Sequence, residues 1–409
     1  MSTALVLSEG VYDLVFANMA YSASGQAFAV ATTYAFGYTA EILVTILGAG
    51  FLDYFDRRKI FVYSQFVKIA IFASVVVVGA IHPLSAPMIW AYAFSIDLIH
   101  HYSRIALFTL VVSLFEKAEI PEIQGTNAVL SGTMQITSPL LAGAAIGLFG
   151  LTSSLGVSVA LQLLALITAL VLFRIAKYRK SANEESTSPL REQLKDAALS
   201  TLRAARDLAR DKTWRGFLTL YTACGLLIGV TVLLWIPLLR GYHGVSDGNT
   251  GWYLSIGATG LAAGGFIVRR FGKLQSYRYL ALALFLMSLS VVLAIVMPGV
   301  VGLIAGGTIL FHLGLTLYFG FSTVLIQISI PSDRMGSWYG VIDFVNRIFG
   351  MVGVLCAGVL FDLVGPEWLF GGLAVVLAAS ATLWLRGTLT VLPVAEATTP
   401  ATPLESESA

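Results

Sequence analysis

Of 409 residues, 57% are hydrophobic and only 12% are charged, for a mean hydropathy of +0.82 and a formal net charge of +2. A soluble domain of this size and composition would expose one continuous apolar surface, so that class is excluded. Repeated apolar runs of about 20 residues predict instead an all-α polytopic membrane protein, because helices satisfy their own backbone in lipid.

The apolar pattern predicts twelve spans, at 3–22, 26–52, 59–81, 87–114, 124–150, 152–174, 214–238, 249–270, 278–297, 299–328, 336–362 and 367–387. The first is shorter than usual and begins almost at Met1, with no signal-peptide pattern ahead of it. A charge in the hydrocarbon core costs at least about 2.5–3.5 kcal/mol, so each acid or base inside a span should face a cavity or a partner. In the first span Glu9 and Asp13 share a helical face, one turn apart. In the second, Tyr34, Tyr38, Glu41 and Thr45 form a polar stripe. A carboxylate in a water-poor cavity can hold a proton at physiological pH, which makes Glu9 and Glu41 the leading proton-coupling residues, with Asp13 beside them. Interfacial placement is the alternative for Glu9, given how near the N-terminus lies.

Between the second and third spans stands Gly50-Phe-Leu-Asp53-Tyr54-Phe-Asp56-Arg57-Arg58-Lys59. So short a charged turn belongs at a membrane–water boundary, and its bases belong on the cytoplasmic side. Gly50, Asp53 and the Asp56-Arg57-Arg58-Lys59 run resemble the loop between helices two and three of the major facilitator superfamily. With an aromatic before Asp-Arg-Arg-Lys, the run is similar to the enterobactin/siderophore and drug exporter branch. The resemblance implies two pseudo-symmetric six-helix bundles and a cytoplasmic gate built from these residues. Tyr54 stands where that family usually has Arg, which shifts the gate's weight onto Arg57 and Arg58. Ser8-Glu9-Gly10 and Asn127-Ala128 resemble further signatures of the branch.

The fourth span places Asp97, His100, His101 and Arg104 at i, i+3, i+4 and i+7 on one face. Asp97 is expected to pair with His100 or His101, leaving Arg104 to meet an anion, for which its planar fork is suited. An internal salt bridge that only steadies the bundle is the alternative. Metal ligation is disfavoured, because adjacent histidines on a regular helix cannot both point at one ion.

After the sixth span, residues 176–212 read as a flexible linker followed by an amphipathic pattern. Leu190, Leu194, Ala198, Leu202, Ala205 and Leu208 lie on one side, with Arg191, Lys195, Arg203, Arg206 and Arg210 flanking them. Such a helix lies on the inner leaflet or stands in solvent. In the second half, His312 reads as a satisfied core residue. Asp343, Asn346 and Arg347 recur at i, i+3 and i+4 in the eleventh span, either as an intrahelical pair or with Arg347 as the second-half counterpart of Arg104, the two clamping an anion.

A shift of 215 residues carries Gly125 to Gly340, Ala142-Gly143 to Ala357-Gly358, and Gly150 to Gly365. This repeat predicts an N-terminal bundle over 1–175, a linker over 176–212, a C-terminal bundle over 213–388 and a disordered tail over 389–409, with substrate held between the bundles. Basic residues concentrate in alternate loops, which puts both termini in the cytoplasm. Gly143/Gly147 and Gly260/Gly264 allow close helix contact. Cys224 and Cys356, within apolar spans, read as buried inert thiols.

No nucleophile motif, metal-ligand spacing or phosphate loop is present, and the bases are juxtamembrane rather than arranged for nucleic acid. The expected function is therefore neither an enzyme nor a nucleic-acid binder. It is a monomeric, cofactor-free, proton-coupled secondary transporter of the inner (plasma) membrane, exporting a small anionic or zwitterionic metabolite such as a carboxylate siderophore. The substrate-binding set is Arg104, His100, His101, Asp97, Arg347, Asn346 and Tyr38, and the proton-coupling set is Glu9, Glu41, Asp13 and Asp343. Multidrug efflux, an uptake permease, and a non-transporting sensor or lipid-handling scaffold are the alternatives.

Overall fold

Backbone N–H and C=O groups in hydrocarbon must be bonded within the chain, and the protein meets this demand with helices alone among the described residues. The computed structural model describes residues 2–48, 57–114, 120–175, 203–271, 277–296, 300–330 and 335–386. The long helices are α1 (Ser2–Ser24), α2 (Ala27–Gly48), α3 (Arg57–Ile81), α4 (Ala86–Leu114), α5 (Ile120–Phe149) and α6 (Leu155–Ile175). The second set is α7 (Lys212–Pro237), α8 (Asp247–Phe271), α9 (Tyr277–Val296), α10 (Val301–Ser329), α11 (Met335–Val364) and α12 (Pro366–Arg386). All twelve expected spans are present. The first is not short, since α1 runs 23 residues, enough for a full crossing.

Nine of these helices are long and apolar enough to cross a membrane on composition alone; α1, α4 and α5 fall short among the described residues. Those three carry the polar residues of the N-terminal half, and they come together to wall its cavity. Their low hydropathy thus follows from what they face.

Helices α1–α6 pack as one bundle and α7–α12 as another, joined mainly through α2 against α11 and α5 against α8. The repeat is a register as well as a plan. Ala86–Leu114 and Ile120–Phe149 recur as Val301–Ser329 and Met335–Val364, 215 residues later at both ends. Gly150 and Gly365, each just past a helix end, adopt matching left-handed φ of 80° and 82°, where a side chain would be strained. The same register corrects one expectation. It lays Arg104 over Phe319 and Arg347 over Gly132, so the two arginines are not symmetry counterparts. The backbones of the halves match; their intramembrane charges do not.

The outward surface is apolar, with Phe66, Leu148, Ile167, Phe266, Leu363 and Val375 exposed, as a lipid-facing belt requires. Trp252 and Trp368, both near helix starts at one end, suit a membrane interface. Cys224 is buried as expected, but Cys356 is exposed on the outward side of α11. Of the expected amphipathic helix, residues 203–210 are described. They bury Ala204 and Leu208 in the same apolar cluster as Trp214, exposing Arg203, Arg206 and Arg210. This part therefore docks on protein rather than on lipid. Asp211 then caps α7, accepting from the amides of Thr213 and Trp214 at 2.8 and 3.2 Å. The rest of the linker and the tail fall outside the described residues.

At the end of the molecule opposite the termini the halves are locked together. Arg240, in the π-helical turn that follows α7, donates to the Asn18 carbonyl (2.9 Å) and to Ser22 Oγ (3.1 Å) on α1. It also pairs with Asp247 at 2.7 Å and lies 4.9 Å over the Tyr21 ring. On the far side Asp362 of α11 accepts from the amides of Ala27 and Phe28, both at 2.9 Å. Those amides open α2 and lack intrahelical acceptors, so the carboxylate caps a helix of the other bundle. Between these contacts α5 and α8 touch through glycine: a Cβ on Gly251 would meet the Gly143 Cα at 2.7 Å. Gly260 and Gly264 likewise admit α10, so both expected glycine pairs serve packing.

Each charge-assisted bond in this clasp contributes about 1.5–3 kcal/mol. Asp362→Asn together with Arg240→Ala should therefore shift the halves apart here by at least tenfold in population. Distances between spin labels at Ser24 and Ser246, on a background lacking Cys224 and Cys356, would report it; an unchanged distribution would show that apolar packing alone closes this end.

Candidate functional site

A charge that cannot reach water must find a partner in the protein, and the intramembrane charges here do so across helices rather than along them. Glu9 of α1 lies 3.3 Å from His100 Nε2 on α4. Glu41 of α2 lies 3.8 Å from His101 Nδ1. Asp97 accepts from the Tyr12 hydroxyl at 3.3 Å. The expected pairing of Asp97 with a histidine on its own helix is thus corrected. Successive α4 side chains fan out toward α1 and α2, and the acids opposite claim both imidazoles.

Arg347 sits where the two bundles meet. Its Nε donates to Asp343 Oδ2 at 2.7 Å, one turn back on α11, and its Nη1 pairs with Glu41 Oε2 of the other bundle. Both readings of the Asp343–Arg347 spacing are partly met: the intrahelical pair exists, and Arg347 also faces the central space. It is already neutralised, however, and so is not a vacant anion clamp. Tyr38 packs near Gly350, and Thr39 donates to Met351 Sδ at 3.4 Å, continuing the α2–α11 contact.

Three adjoining cavities occupy the centre, of about 450, 380 and 190 Å³. The first is walled by α1, α4 and α5, with Glu9, Asp13, His100, Arg104, Gln135 and Ser138 on its surface. The second lies against the C-terminal bundle and is aromatic, lined by Tyr34, Tyr38, Tyr221, Phe319 and Tyr339, with Asn346 and Arg347 on its edge. The smallest joins them, sharing Tyr34 and Tyr38 with one and Glu9, Asp13, His100 and Arg104 with the other. Arg104, Gln135 and Tyr339 are exposed to this space, whereas Tyr12, Phe16 and Ala31, toward the clasped end, are buried. The space therefore opens toward the end that carries the termini. Gly10 makes the first cavity possible, since a Cβ there would overlap the Ser138 side chain on α5.

Every expected substrate or proton residue on α1, α2, α4 and α11 reaches this centre. His312 does not; it bonds the Thr308 carbonyl at 2.8 Å, as a core histidine should. Gly50, Asp53 and Asp56 of the expected gate, and the side chain of Arg57, lie outside the described residues. Arg58 and Lys59 stand in the first turn of α3, half-buried and exposed respectively. Cations there oppose the helix dipole, so their placement is explained by topology rather than by helix stability.

The sequence reading passed over three features. Lys68 is fully buried in α3, with Ser103 Oγ at 3.4 Å, and Gln65 donates to the same hydroxyl at 3.2 Å. Gln162 of α6 donates to Ser8 at 2.9 Å, fixing the turn of α1 that presents Glu9. Arg240 was visible only as a lone base in its loop. A single lysine inside an apolar span was the available signal for Lys68.

A sequence profile of the Major Facilitator Superfamily matches residues 3–354. The chain belongs to that superfamily. No curated protein sequence matched it significantly. Among solved structures, the nucleoside transporter NupG superposes with a TM-score of 0.73 at 10% identity, covering 94% of this chain and 96% of that one. A peptide transporter POT in complex with sulfate gives 0.70 at 11%, covering 95% and 92%. A bacterial homologue of the iron transporter ferroportin, in an inward-facing state, gives 0.66 at 14%, covering 93% and 96%. At such identities the likeness is one of fold. As a superfamily member the chain is a multi-pass membrane protein, and its interbundle pair Arg347–Glu41 lies in the central space.

Removing one member of a desolvated ion pair strands the other, at a cost that reaches about 3–5 kcal/mol when burial is complete. Glu41 and Arg347 are partly open, at 19% and 28% exposure, so about 1–3 kcal/mol is expected here. Glu41→Gln and Arg347→Gln should each lower thermal stability in detergent more than the double substitution does. Additive losses would show that the pair does not couple the bundles.

Proposed function

We propose that this chain is a proton-coupled secondary transporter of a small charged metabolite, working by alternating access, with Arg347–Glu41 as its coupling pair. The observation that carries the reading is an ion pair drawn from both bundles, at the centre of a cavity closed at one end and open at the other. Protonating Glu41 removes the charge that holds Arg347 to α2, so proton binding bears directly on the contact between the halves. Glu9 and Asp13 line the same cavity, and His101 reaches Glu41, which gives a proton several acceptors along the open side.

The bases flanking the open end, Arg57, Arg58 and Lys59 together with Arg269 and Arg270, support a cytoplasmic placement of that end and of both termini. In that orientation the molecule is poised to load from the cytoplasm. Loading there, and the loop that resembles siderophore and drug exporters, support export, with a carboxylate siderophore as the specific form of the reading. A second reading has its own support. A substrate carboxylate that took Arg347 from Glu41 would leave Glu41 to accept a proton, which is the logic of cotransport and hence of uptake.

Flux into and out of proteoliposomes, with a pH gradient imposed in each direction, tests both. A panel of small organic anions and zwitterions should include solutes that move only with the gradient. Opposite movement of solute and protons supports export, and parallel movement supports uptake. Glu41→Gln should abolish the gradient dependence while leaving exchange of solute for solute. Solute movement indifferent to the gradient, or none at all, would overturn proton-coupled transport.

A further inference from the structure

Within the N-terminal cavity the charges can be matched one against another, and two are left over. Glu9 takes His100, Glu41 takes Arg347 and His101, and Asp97 takes the Tyr12 hydroxyl. Asp13 of α1 and Arg104 of α4 have no hydrogen-bond or ion-pair partner among the described residues. Both nevertheless line the first cavity and the passage that joins it to the aromatic one. His100, only 5% exposed and one turn from Arg104, has no hydrogen-bond partner at Nδ1. Groups of this kind in a membrane interior are costly unless something that visits the cavity satisfies them.

The leftover pair has opposite signs on facing helices. An anion alone would answer Arg104 while adding repulsion at Asp13. A cation alone would do the reverse. A molecule bearing both charges answers both, and like-charge repulsion discriminates against the two singly charged alternatives. From this space the passage leads past Tyr34 and Tyr38 into the cavity edged by Tyr221, Phe319 and Tyr339. Aromatic faces there are suited to a flat ring, each favourable ring pair contributing about 0.5–1.5 kcal/mol beyond its buried area. The only intramembrane charges of that wall, Asp343 and Arg347, already hold each other.

We infer that the site takes a zwitterion with an aromatic or similarly flat apolar body: its carboxylate on Arg104 and His100, its ammonium on Asp13, its ring among the tyrosines. This inference rests on the transport reading for its purpose and adds to it the chemical class of the substrate. The two helices that hold the charged ends belong to one bundle, and most of the ring's wall belongs to the other. A ligand spanning both would register their relative position, as a transported solute must.

The test is a matched series on the full-length protein in detergent, by calorimetry: phenylalanine, phenethylamine, which lacks the carboxylate, and 3-phenylpropanoate, which lacks the ammonium. Phenylalanine should bind at least tenfold more tightly than either analogue. Arg104→Gln should bring its affinity down to that of phenethylamine, and Asp13→Asn to that of 3-phenylpropanoate. Either analogue binding the unaltered protein as tightly as phenylalanine, or no member of the series binding, would overturn the inference without need of a variant. Because the series requires no gradient, its failure is separable from that of transport. Gradient-driven flux of other solutes without zwitterion preference rejects the substrate class alone. Zwitterion binding without any gradient-driven flux rejects transport alone.

Discussion

The ion pair between Arg347 and Glu41 is the contact on which the central architecture depends. It is the one described salt bridge that crosses between bundles in the middle of the molecule, and it joins a C-terminal half poor in charge to an N-terminal half crowded with it. In a low-dielectric interior such a pair holds strongly while both members are charged. It becomes a liability when one of them is neutralised. The contact between the halves is thereby made sensitive to a proton, a property no apolar interface could supply.

Around that pair the two ends of the molecule differ in kind. The clasped end is held by Arg240 and Asp362, each bonded to backbone groups of the opposite bundle, and by glycine contact between α5 and α8. Bonds to backbone at a helix end are lost when the helix moves as a rigid body, so such contacts switch rather than stretch. The open end has exposed polar residues from both bundles facing a common space. This asymmetry is the structural form of a state accessible from one side.

The halves share a register of 215 residues in two helix pairs yet divide the chemistry between them. Eight titratable side chains point inward from α1–α4, namely Glu9, Asp13, Glu41, Lys68, Asp97, His100, His101 and Arg104, against Asp343 and Arg347 from α11. What the C-terminal half offers instead is tyrosine and phenylalanine. A repeated backbone gives two rigid bodies that can rock against each other. Divergent side chains let one body handle charge while the other handles shape.

The order and extent of the helices, the repeat, and the presence of charge inside spans were legible in the sequence, because each is a property of local composition and period. Helix boundaries on either side of the Asp97–Arg104 and Asp343–Arg347 segments follow from hydropathy, and so does the need for those residues to face inward. Partners were not legible. The spacing i, i+3, i+4 pointed to Asp97 with a histidine and to Arg104 with Arg347, but inter-helix distances gave His100 to Glu9, His101 to Glu41 and Arg347 to Glu41. Arg240 read as a stray base, and only the approach of α1 to the end of α7 made it a clasp. Sequence set which residues must leave lipid; the packing of one helix against another decided which of them would meet, since side chains far apart along the chain come within bonding distance only when the bundles close.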